Sequence, residues 1–142
     1  LRFLFFCFSL RSLPVSTLSI LLYIYPMFPY ENLEVYKKAY TTNQTVYRLL
    51  KGNKDIPRFA RDQLGRASLS IMLNIAEGSA KFSKRDRKNF YVTARGSAFE
   101  CASLISFLND EGEIAQEKKV ELSSSYEEIS RMLFAMIKNV DE

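Results

Sequence analysis

Two glutamates set within a largely apolar helical pattern are the side chains of this sequence best suited to chemistry. Arg66, Ser70, Asn74 and Glu77 follow one another at helical spacing and form one polar strip, and Gly96, Ser97 and Glu100 are grouped in the same way further on. Glu77 and Glu100 as a pair can act as general acid and base, or hold a hard cation. In the alternative, Arg66 and Asn74 satisfy the two carboxylates in a polar network that fixes helix register at an interior or subunit face, because a buried carboxylate normally needs such a partner. A mid-helix glycine costs about 1 kcal/mol against alanine unless close packing returns it, so Gly96 points to a close helix approach. Composition favours the network. The chain has no histidine, which removes imidazole bases, Ser-His and Cys-His nucleophile pairs and His-ligated metals together. Cys7 and Cys101 are its two thiols, too few for a Cys-rich metal site. No metal or cofactor is expected, and the chain reads as non-catalytic.

The second candidate is electrostatic. The net charge is +4, but its distribution is uneven. Residues 37–95 hold 14 Lys and Arg against four acids, whereas residues 96–142 hold four against ten. The densest basic stretch is Lys81-Phe82-Ser83-Lys84-Arg85-Asp86-Arg87-Lys88. Such a run can neutralise phosphates and release their counterions, and Phe82 can stack on a base. Arg58, Arg61 and Lys51 are candidate extensions of the patch. The competing readings are a solvated helix start, or a scaffold in which the basic half of one subunit meets the acidic half of the next and closes a ring.

Four helical patterns must position these residues. Leu33, Tyr36, Tyr40, Tyr47 and Leu50 mark a face over 31–51, with Gly52-Asn53 as a stop. Phe59, Leu64, Ala67, Ile71 and Ile75 mark a second helix over about 57–78, with Gly78 placed for a left-handed C-terminal conformation. A third starts at the capping-box-like Ser83-Lys84-Arg85-Asp86 and keeps its period through Phe90, Tyr91, Ala94, Ala98, Cys101, Leu104, Ile105 and Leu108. The fourth, about 115–140, carries Val120, Leu122, Tyr126, Ile129, Leu133, Met136, Ile137 and Val140. Short connections between long helices favour antiparallel neighbours, so an all-α, up-down-up-down four-helix bundle is expected as one domain over 27–142.

Residues 1–26 are of a different kind, rich in Leu, Phe and Ile with two arginines and no acid. Arg11 and Pro14 interrupt the run and leave it too short to cross a membrane, and no small-residue cleavage site follows. They are read as an upstream extension of a product starting at Met27, and no membrane association is expected of 27–142.

Gln63-Leu64-Gly65-Arg66-Ala67-Ser68-Leu69-Ser70-Ile71, then Asn74-Ile75-Ala76-Glu77-Gly78-Ser79 and Gly96-Ser97-Ala98-Phe99-Glu100 resemble the 23S ribosomal RNA intervening-sequence proteins. Glu31-Asn32-Leu33-Glu34-Val35-Tyr36-Lys37-Lys38-Ala39 looks like that family's first helix, so the resemblance runs over essentially all of 31–140. It implies a small bacterial four-helix bundle that commonly assembles with itself as a ring-like homopentamer; no enzymatic activity is implied, and a cytoplasmic location is expected. Related bundles include accessory proteins of diversity-generating retroelements, which use a basic surface to engage nucleic acid and a reverse transcriptase. Those related bundles make RNA or DNA, and a nucleic-acid-processing protein, candidate partners, and the resemblance leaves the choice among them open.

Overall fold

The structure, a computed structural model, describes residues 28–141; the expected extension 1–26 and start at Met27 lie outside them. A 3-10 turn, Pro29–Asn32, leads into α1, Glu34–Gly52, followed by α2, Arg58–Ser79, α3, Lys84–Asp110, and α4, Gln116–Asp141. The chain forms an all-α four-helix bundle. Among the described residues no helix is long and apolar enough to cross a membrane.

Specific residue pairs set the helix directions. Arg61 meets Leu50 while Ser68 meets Asn43, so α1 and α2 run oppositely. Gln63 meets Glu100 and Ser70 meets Ser97, which gives the same relation for α2 and α3. Arg95 reaches Ser130 while Asp110 pairs with Lys119, so α3 and α4 are antiparallel as well. Lys38 closes the circuit with a 2.6 Å ion pair to Glu128, from α1 to α4.

The core fills the space between the four helices. Leu64, Ile71 and Ile75 of α2, Ala94, Ala98, Ile105 and Leu108 of α3, and Leu122, Ile129 and Leu133 of α4 are buried there. Each large aliphatic side chain in that set contributes about 1.5–3 kcal/mol by leaving water. On α1 the buried side is Val35, Ala39, Thr42 and Val46, rather than the tyrosine face expected from spacing. Tyr40 and Tyr47 are exposed, and Tyr36 is only half-buried. A shift of one residue rotates a helix face by about 100°, so the tyrosine face and the Val35-Ala39-Thr42-Val46 face cannot both turn inward. The displaced aromatics form an outer ladder, with ring centroids 4.6 Å apart for Tyr30 and Tyr36 and 6.3 Å for Tyr36 and Tyr40. Phe59 and Val120 also lie on the surface instead of in the apolar stripes where spacing placed them.

The glycines reverse their expected parts. Gly78 is not a left-handed terminus, since α2 continues through Ser79 and the one positive φ among the described residues is at Gly112, in the α3–α4 turn. Gly78 is instead where α2 and α3 touch: a Cβ there would stand 2.7 Å from Tyr91 Cε1 and 3.0 Å from Phe90 Cβ. Gly96, expected at a close approach, has nothing within 4 Å of such a Cβ. Alanine at the two sites should therefore act in opposite directions. Gly78→Ala overpacks the contact and is expected to cost about 1–3 kcal/mol, whereas Gly96→Ala gains helix propensity worth about 0.5–1 kcal/mol. Urea midpoints at constant slope would register both changes.

Candidate nucleic-acid interface

The turn between α2 and α3 is built by its own polar residues. α2 ends as the Ala80 and Lys81 N–H groups donate to the Glu77 and Gly78 carbonyls. α3 begins at Ser83, whose hydroxyl accepts from the Asp86 N–H at 3.4 Å, as the capping pattern suggests. Arg87 reaches back across the turn and donates from its terminal nitrogen to the Lys81 carbonyl at 2.8 Å, with its Nε buried and without a partner. The Lys81 ammonium rests 4.8 Å from the centre of the Phe90 ring. Lys81 and Arg87 are therefore committed to holding the turn, whereas Lys84 and Arg85 project into solvent with Phe82. Lys88 is half-buried on the next turn. The site also stands at the positive end of the α3 dipole, which adds to the attraction for an anion.

Arg58, Arg61 and Lys51 do not extend this surface. They stand at the α1–α2 connection, at the other end of α2, which at 1.5 Å per residue is about 30 Å away. Arg58 is exposed and paired with Asp62 at 3.6 Å. Arg61 is a clamp: its guanidinium donates to the Leu50, Asn53 and Ile56 carbonyls and closes the end of α1 onto the start of α2. The residues were grouped by charge and sequence proximity, and the length of α2 separates them. The α3–α4 turn, with Asp110, Glu111 and Glu113, also lies at that far end, so these three acids stand away from Lys84 and Arg85.

The polar strip between α2 and α3 is real but differently wired from the expected glutamate pair. Ser70 and Ser97 hydroxyls meet at 2.9 Å, and the Asn74 amide donates to the Ser70 carbonyl and hydroxyl at 2.8 and 3.0 Å. Gln63 donates to Glu100, and Arg66 donates to the Gln63 side-chain oxygen at 2.7 Å. Arg66 thus engages Glu100 through Gln63, and Asn74 serves Ser70 instead of a carboxylate. Glu77 is exposed and lies outside the cluster, as does Gly96. Measured from the Ser70–Ser97 contact, Glu77 and Glu100 are displaced in opposite senses and stand about 15 Å apart along the axis. Two carboxylates at that distance share neither a proton nor a cation. Among the described residues no three potential metal ligands converge.

A second polar chain escaped the sequence reading because two of its members sit within apolar stripes. Ser68 of α2 donates to the Asn43 side chain of α1 at 2.8 Å, and the buried Tyr126 hydroxyl of α4 donates to Ser68 at 3.4 Å. Asn43, Ser68 and Tyr126 thus join α1, α2 and α4 through the core, and the Cys101 thiol of α3 lies beside Tyr126. Burial pushes the Cys101 thiol up to about 12 and raises Tyr126 above the ordinary phenol value. Neither group is an accessible nucleophile.

A family profile described as 23S rRNA-intervening sequence protein matches residues 31–135. A solved structure of a protein with unknown function from the S23 ribosomal protein family of Bacteroides thetaiotaomicron VPI-5482 superposes with a TM-score of 0.70 at 24% identity, over 73% of this chain and 95% of that chain. That likeness speaks for the fold alone. No curated protein matches the chain. The profile covers most of the sequence and every residue of both the basic turn and the polar strip, and the chain belongs to the 23S rRNA-intervening sequence protein family.

Proposed function

We propose that the protein is a non-catalytic bundle that binds RNA or other nucleic acid at the α2–α3 end. The observation that supports this most is the division of labour within the turn: Arg87 and Lys81 hold its backbone, and Lys84 and Arg85 stand free of the bundle beside the α3 N-terminus. A rigid turn presents fixed positive charge to a phosphate backbone without first having to order itself, which lowers the cost of binding. Each phosphate contact displaces condensed counterions, so affinity must fall as salt rises. Fluorescence anisotropy of a labelled RNA over a salt series tests the reading. A plot of log affinity against log salt should be linear with a slope of about −2 to −4, as for a few lysine and arginine contacts; affinity insensitive to salt would count against it.

Self-assembly is a second reading, supported by apolar surface on two sides of the bundle. Tyr40, Tyr47, Leu69 and Leu73 are exposed on α1 and α2, and Phe99, Phe107 and Phe134 on α3 and α4. Two different patches suit head-to-tail contacts, which close as rings when the rotation allows. Under this reading the homopentamer is the assembled form, and it is compatible with nucleic-acid binding at the bundle ends. Light scattering across a chromatographic peak measures the subunit count, and a monomer at micromolar concentration would exclude it.

A further inference from the structure

We infer that the α2–α3 turn takes unpaired nucleotides, with Phe82 as the platform on which a base stacks; this rests on the nucleic-acid reading above and specifies its ligand. Phe82 is 102% exposed, more than any other large apolar side chain among the described residues, the next being Phe59 at 67%. Its neighbours in the turn are tied down. Lys81 is held through its N–H by the Gly78 carbonyl, through its carbonyl by Arg87 and through its ammonium by the Phe90 ring. Ser83 on the other side caps α3, and its carbonyl accepts the Arg87 N–H at 3.0 Å. Behind the turn, Gly78 seats the backbone of α2 directly against Tyr91. The backbone on both sides of Phe82 is thus fixed while its ring touches nothing.

A ring in that position gains nothing for the monomer, since it forgoes the whole of its burial energy. It does offer both π-faces, next to the cationic groups of Lys84 and Arg85. That is the composition of a single-strand site, where aromatic faces hold bases and adjacent cations track phosphates. A continuous duplex keeps its bases stacked on each other and presents phosphates and groove edges, for which lysine and arginine suffice and a phenyl ring has no partner. An anionic membrane would also attract the charges. A single phenyl ring between polar neighbours, however, lacks the broad apolar face that interfacial helices bury.

The test uses the full chain and two variants, Phe82→Ala and the double reversal Lys84→Glu/Arg85→Glu, against a labelled single-stranded RNA of about 12 nucleotides and a blunt duplex of similar length. Phe82→Ala should lose about tenfold or more in affinity for the single strand and almost nothing for the duplex, while the double reversal weakens both. Because the chain has no tryptophan, Phe82→Trp adds a unique indole whose emission should be quenched by the single strand and not by the duplex. If Phe82→Ala binds the single strand as the parent does while the double reversal fails on both, stacking is refuted and the electrostatic reading survives. If the double reversal binds both unchanged, the interface itself is wrong. Binding to phosphatidylserine vesicles that depends on Phe82, with no binding to either RNA, would overturn the inference in favour of a membrane surface.

Discussion

Reversing Lys84 and Arg85 together is expected to cost at least about a hundredfold in RNA affinity at moderate salt, with the thermal midpoint unchanged or slightly raised by the favourable placement of acids at the α3 N-terminus. Two favourable phosphate contacts become two repulsive ones, and each lost contact also removes roughly one unit from the salt slope. Neither side chain is committed to the bundle, both being exposed on the first turn of α3, so the fold should tolerate the change. Arg87→Glu is a different experiment. Its guanidinium ties the turn through the Lys81 carbonyl, and replacing it puts an unpaired carboxylate beside that oxygen, so a lower thermal midpoint should accompany any loss of binding. Lys51→Glu with Arg58→Glu, about 30 Å away at the other end of α2, should leave affinity within about twofold after allowance for long-range screening. Equal losses from reversals at both ends would mean that the net charge of the protein, not the turn, attracts RNA.

Alkaline pH is expected to unfold the protein by a route that runs through its core. The Cys101 thiol ionises near 9.0 when free and near 12 when buried in the bundle. The unfolded chain therefore releases this proton first. Between those two values the folded state holds one proton more, and stability falls as pH rises by about 1.4 kcal/mol per pH unit. Tyr126, Tyr91 and Tyr36 are all raised by burial first of all, and they add losses of the same sign once pH exceeds the ordinary phenol value of 10.0. The unfolding free energy from urea titrations should be flat below pH ~9 and drop by about 2 kcal/mol or more by pH ~10.5. Cys101→Ala should lower stability at neutral pH, through a small cavity of about 1 kcal/mol or more, and make the alkaline slope shallower. An unchanged slope in that variant would show that the thiol is not the group being titrated. In a Cys7→Ser background, Cys101 should resist thiol reagents until urea unfolds the bundle.

The helices were legible because their signals are local. Ser83 and its capped first turn, and the long apolar period of α3, depend on residues within a turn or two of one another. Which face of α1 turns inward was not legible. The tyrosine spacing and the Val35-Ala39-Thr42-Val46 spacing are both helical, and the choice between them depends on how closely α2 and α4 approach α1. The same limit explains the two glycines. A glycine signals that a Cβ is missing but not whether anything stands where it would be, and the Phe90 and Tyr91 side chains distinguish Gly78 from Gly96.

The candidate site divides along the same line. The basic turn is contiguous in sequence, so its charge could be read directly, but the separate duties of Arg87 and Arg85 come from the backbone of the turn. Grouping Arg61 with the patch failed because the carbonyls that hold it belong to the α1–α2 connection. Pairing Glu77 with Glu100 required knowing the α2–α3 register, which the Ser70–Ser97 contact fixes. The Asn43–Ser68–Tyr126 chain draws its residues from three helices, and no window along the sequence contains it.

The most direct test of the central claim is ultraviolet crosslinking of the full chain to a 4-thiouridine-labelled single-stranded RNA, followed by mapping of the adducts to peptides. Adducts are expected to concentrate in the peptides that span 81–88, and to be lost at high salt and in the Lys84→Glu/Arg85→Glu variant. Adducts centred on the α1–α2 connection around Lys51 and Arg58, or on the outer faces of α3 and α4 with the turn unlabelled, would contradict it.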